Sequence, residues 1–121
     1  MAKKILIIED ENHVAEYLQD IFQDQGYETL IAASSAEGLE MAASHRPDLI
    51  TLDLQMPAEH GTRFYQRFRK DEDLKGIPIV VITGQHSPHR SINPDKVAAM
   101  VVKPFEPGEL VAIVQKALGE E

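Results

Sequence analysis

Apolar residues along this chain fall into short unbroken runs, separated by stretches in which they recur every three or four positions. The runs are Lys4–Ile8, Glu28–Ala32, Leu49–Leu52 leading into Asp53, Ile77–Thr83 and Ala99–Val102. The first, third and fourth read as buried strands, the third covered on both faces, the second as a short strand with moderate alternation, and the last as the fifth strand. The intervening stretches read as helices. Val14, Leu18, Ile21 and Phe22 form one apolar face, and Gly26 closes that helix. Ser34 offers an N-cap, with Glu37 placed to complete a capping box, although Gly38 is a poor helix former. Leu39, Ala42 and Ala43 carry the buried face of this second helix, and Arg46-Pro47 ends it. A loop from Leu54 to His60 is expected next, then a helix after Gly61 that contains Phe64 and Phe68 and is broken by Gly76. The last helix runs from Glu106 to Leu118, with Leu110, Ile113, Val114, Ala117 and Leu118 on one side.

Strands alternating with helices predict an α/β fold: a five-stranded parallel sheet, doubly wound, with helices on both faces and strand order 2-1-3-4-5. The weak point is the crossover between the fourth and fifth strands. Ser87-Pro88 can start a helix there, but Pro94 stops it within about two turns. Ile92 and Val97 are its only sizeable apolar anchors, so this fourth helix is expected to be short or irregular.

The 121 residues suffice for one domain, residues 1–121, and not for two. No cysteine is present, which excludes a disulfide scaffold and a thiolate zinc site. The N-terminal apolar run is too short for a signal peptide or membrane span, so a cytoplasmic protein with no membrane contact is expected. A net charge of −8 argues against nucleic-acid binding.

Charge matters more where the topology concentrates it. The carboxyl ends of strands one, three, four and five converge in this strand order, and there stand Glu9 and Asp10, Asp53, Thr83 and Lys103. Two carboxylates at roughly 5 Å and an effective dielectric near 20 repel by about 3 kcal/mol. Such a cluster suits a cation, and an all-oxygen donor set points to Mg²⁺ or Mn²⁺ rather than zinc. A carboxylate beside a divalent cation, a lysine and a hydroxyl is placed to attack phosphorus. Simpler readings stand beside this one. Glu9 and Asp10 suit a helix N-terminus, Thr83 suits any strand, and Lys103 could pair with Asp53 for structural reasons alone. His13, His45, His60, His86 and His89 lack metal-ligand spacing and read as solvated.

With Glu9-Asp10, Leu52-Asp53-Leu54-Gln55-Met56-Pro57, Gly61, Ile82-Thr83-Gly84 and Lys103-Pro104-Phe105 in this order, the whole chain resembles the receiver domain of bacterial two-component response regulators. The resemblance implies a flavodoxin-like fold and a phosphoryl group accepted on Asp53 from a phosphohistidine of a sensor histidine kinase or phosphotransfer protein. It implies Mg²⁺ held by Asp10, Asp53 and the backbone carbonyl of Gln55, with Glu9 on the metal directly or through water. Thr83 would hydrogen-bond the phosphoryl group, Lys103 would pair with it, and Lys103-Pro104 would be cis. A downstream effector protein or domain is implied as partner, as is a phosphorylation-dependent homodimer. The family's usual inward-swinging aromatic, three residues before the lysine, is Met100 here.

Other classes are weaker. A phosphatase of the haloacid-dehalogenase type also uses a strand-end aspartate, but its second acid, two residues on, is Gln55 here. A flavodoxin-like cofactor binder would need a Ser/Thr/Gly-rich loop after strand one. A degenerate receiver would lack the site residues that stand here.

Overall fold

Successive residues of a strand point to opposite faces of its sheet, so an apolar run buries both. The computed structural model, which describes residues 2–53, 58–84 and 97–120, realises this pattern. Strands β1 (Lys4–Ile8), β2 (Glu28–Ala32), β3 (Leu49–Asp53), β4 (Ile79–Thr83) and β5 (Ala99–Val102) form one parallel sheet in the order β2-β1-β3-β4-β5. Leu6, Ile8, Ile50, Leu52 and Val81 pack on one face with Ala42, Phe64, Tyr65 and Phe68. Ile5, Ile7, Leu49, Val80, Ile82 and Val101 pack on the other with Leu18, Phe22, Leu110 and Val114. The two cores therefore lie beneath helices α2 (Ser35–His45) and α3 (Ala58–Lys70) on one side, and α1 (Asn12–Asp24) and α4 (Pro107–Ala117) on the other.

Local signals account for most boundaries. Gly26 follows α1 with φ 88°, a conformation that favours glycine. Ser34 Oγ accepts from the Glu37 N–H at 3.2 Å, and the Glu37 carboxylate reaches back to the Ala33 N–H at 3.2 Å, one residue earlier than a regular capping box. Gly38 has a packing reason: a Cβ there would stand 2.8 Å from Ile8 Cδ1 and 3.3 Å from Phe64 Cδ1. Glycine lets α2 approach β1 closely, and its poor helix propensity is the cost.

Three boundaries differ from expectation. Helix α3 begins at Ala58 instead of after Gly61, which fits alanine's high helix propensity. It ends at Lys70, well before Gly76, because the Asp71 carboxylate takes the N–H groups of Asp73 and Leu74 at 2.9 and 3.2 Å and bends the chain into turns. Strand β4 starts at Ile79 because Pro78 has no N–H to donate, though its carbonyl still accepts from Ile50 at 3.0 Å. The expected short helix between β4 and β5 falls at 85–96, outside the described residues. No helix among the described residues is long and apolar enough to cross a membrane.

Candidate functional site

Sheet register builds the site. Ile8 lies opposite Leu52, so Glu9 and Asp53, each one residue further on, emerge side by side. Asp53 lies opposite Ile82, which brings Thr83 to the same edge, and Thr83 lies opposite Val102. The Lys103 N–H donates to the Thr83 carbonyl at 2.8 Å and extends the β4–β5 ladder by one bond. Lys103-Pro104 is cis. Burial follows from this placement between packed strands: Glu9, Asp53 and Thr83 are 2%, 3% and 3% exposed.

Lys103 Nζ donates to Asp53 Oδ2 at 2.9 Å. The Asp53 side chain is closed off while the lysine remains partly in solvent, so a buried carboxylate is offset by a partly exposed cation. Glu9 Oε2 accepts from the Glu11 N–H at 3.1 Å, and Oε1 is buried with no donor among the described residues. The Glu9 carboxyl is pushed up from 4.5 to about 8, first by burial and then by the neighbouring Asp53, with which it can share a proton and whose charge repels its own. The Glu11 N–H and the Lys103 charge act the other way without cancelling the rise. Among the described residues, Lys103 is the ammonium that faces these two buried carboxylates.

Of the residues singled out in the sequence, Glu9, Asp53, Thr83 and Lys103 are brought together. Asp10 is exposed where the chain turns from β1 into α1, and among the described residues no three His, Cys, Asp or Glu side chains are gathered into a metal-holding group. Gln55 lies outside the described residues. Of the histidines, His13 and His45 are exposed, as expected. One feature went unread in the sequence. Val14, Tyr17, Pro104 and Phe105 form an open groove of about 330 Å³ beside Lys103. Tyr17 is 48% exposed, and its ring lies 6.5 Å from that of Phe105. The available signal was Tyr17 itself, a large ring off the apolar stripe of α1.

The family model for the response regulator receiver domain matches residues 5–115. The polar-differentiation response regulator DivK of Brucella ovis is 29% identical over 122 residues, covering 99% of each chain. Among solved structures, the chemotaxis response regulator CheY4 of Vibrio cholerae superposes with a TM-score of 0.86 at 29% identity, over 97% of this chain and 99% of that one. The receiver domain of sensor histidine kinase PA1611 from Pseudomonas aeruginosa PAO1 has a magnesium ion coordinated in its active site cleft. It superposes with a TM-score of 0.87 over 98% of this chain and 99% of that one, at 23% identity, a likeness of fold alone.

Proposed function

The chain belongs to the response regulator receiver domain family, and on that premise we propose that residues 1–121 form one receiver domain that works as a phosphorylation switch with Asp53 as acceptor. The observation that carries this reading is the buried Asp53 carboxylate on the sheet crest, beside Glu9, with Lys103 Nζ at 2.9 Å. An Asp53 oxygen attacks the phosphorus of a phosphohistidine on a sensor kinase or phosphotransfer protein. The new O–P bond forms as the P–N bond breaks, and the imidazole departs with its electron pair and takes up a proton. Lys103 follows the developing charge from the carboxylate to the phosphoryl group, and the Thr83 hydroxyl donates to a phosphoryl oxygen.

The residues present fit a hard divalent cation. Among the described residues Glu9 Oε1 is a buried oxygen without a donor, Asp53 lies beside it, and both groups offer hard oxygen ligands. Glu9, Asp53, Asp10 and the Gln55 carbonyl would hold Mg²⁺ or Mn²⁺. When bound, the ion neutralises charge on the transferring phosphoryl group. The Val14–Tyr17–Pro104–Phe105 groove opens next to Lys103, where the phosphodonor protein would dock. A downstream effector would read the phosphorylated state, and the chain would act in the cytoplasm as an acceptor rather than a turnover enzyme.

The test is direct. Incubated with acetyl phosphate and Mg²⁺, the protein gains one phosphoryl group by intact-mass spectrometry, and it gains none with a chelator in place of Mg²⁺. No gain under either condition would overturn the reading.

A further inference from the structure

At the opposite end of the sheet from Asp53, a pocket of about 520 Å³ lies between α3 and the start of β4. Its volume falls within the range of small-molecule sites, roughly 300–1,000 Å³. Tyr65 and Phe68 from α3, with Ile77 and Pro78 ahead of β4, make its walls, and Arg69 and Lys75 stand at its mouth. No acidic residue lines it among the described residues, although the chain carries a net charge of −8.

Arg69 is the informative group. Its guanidinium lies 5.7 Å from the centroid of the Tyr65 ring, and among the described residues it makes no ion pair. A guanidinium held near an aromatic ring by a cation–π contact spends no N–H donor on an anion, so its donors can serve a planar oxyanion. The helix dipole explains basic residues in the last turn of α3, but it applies equally to Arg67 and Lys70. The i,i+4 spacing on α3 brings Arg69 to the Tyr65 ring, and so sets its guanidinium beside the pocket that Tyr65 lines. Lys75 pairs with Glu72 at 2.9 Å with both side chains well exposed, so that pair is weak and can open.

We propose that this pocket is a binding site for a small aromatic carboxylate. Its ring would lie against Phe68, Ile77 and Pro78, its carboxylate would be taken bidentately by Arg69, and Lys75 would be the second cation.

The probe is 2-naphthoate, titrated into the whole protein while amide shifts are followed by NMR, with 2-naphthalenemethanol as the uncharged control. We expect shifts centred on residues 65–79 and Ala98, and at least tenfold weaker binding of the alcohol. Arg69→Glu, an exposed substitution, should abolish naphthoate binding. Ala98→Trp, on the exposed rim, should block it without changing charge. Equal binding of both probes, shifts centred on the Tyr17–Phe105 groove or on Lys103, undiminished binding to Arg69→Glu, or no saturable shifts would each overturn the assignment.

Discussion

Glu9→Gln isolates the electrostatic cost of the site. In the metal-free protein Glu9 is 2% exposed, its Oε1 meets no donor among the described residues, and Asp53 lies beside it with Lys103 committed to Asp53 Oδ2 at 2.9 Å. Its carboxyl is pushed from 4.5 to about 8. An acid raised in this way keeps its proton in the folded state at pH values where the unfolded chain has lost it. Folding stability is therefore undiminished below about 4.5, falls as pH rises through the window to about 8, and stays reduced above it. Each pKa unit is worth about 1.4 kcal/mol, so the interval corresponds to about 5 kcal/mol at face value. Lys103 is partly in solvent and its charge also acts on Glu9, so ~2–3 kcal/mol is the expected cost. Glutamine is nearly isosteric, cannot ionise, and can donate its amide to Asp53. Urea unfolding in the presence of a chelator, between about pH 5 and about pH 9, should show the wild type losing that amount relative to the variant. Saturating Mg²⁺ should reverse the order at high pH, because only the carboxylate is a strong ligand. Parallel pH profiles for the two proteins without metal would refute the reasoning.

Asp10→Asn, at an exposed position, should change metal-free stability by no more than about 0.5 kcal/mol yet weaken Mg²⁺ binding several-fold in a metal titration. Gly38→Ala pits a helix-propensity gain of about 1 kcal/mol against overpacking of about 1–3 kcal/mol. With Ile8 Cδ1 at 2.8 Å the packing term wins, and a net loss near 1 kcal/mol is expected in thermal unfolding. Tyr27→Phe removes a 2.7 Å hydrogen bond to Glu120 that ties the chain after α4 to the start of β2, and should cost about 1 kcal/mol by the same measurement.

β1 and β3 were legible because burial on both faces leaves an unbroken apolar signature, whereas β2 and β5, only partly buried, were marked by shorter β-branched and apolar stretches. Pro78 was legible too, once its missing donor is weighed against the apolar run around it. The ends of α3 were harder. Asp71 stops the helix with its own side chain, a local competition that a periodicity count does not register. At the site, Glu9, Asp53, Thr83 and Lys103 followed from strand ends plus strand order. The unequal burial of Glu9 and Asp10 did not, because both stand past the end of β1 and only the path of the turn into α1 separates them. Gly38 announced itself as an odd residue in a helix, but its partner Ile8 is thirty positions away and is set by tertiary packing.

The most direct test of the central claim is to locate the phosphoryl group chemically. An aspartyl phosphate is an acyl phosphate, which borohydride reduces to homoserine. After incubation with acetyl phosphate and Mg²⁺, followed by reduction and peptide sequencing by mass spectrometry, the account predicts homoserine at position 53 in the wild type. It predicts none anywhere in Asp53→Asn. Homoserine at another aspartate, or undiminished phosphorylation of that variant, would contradict it.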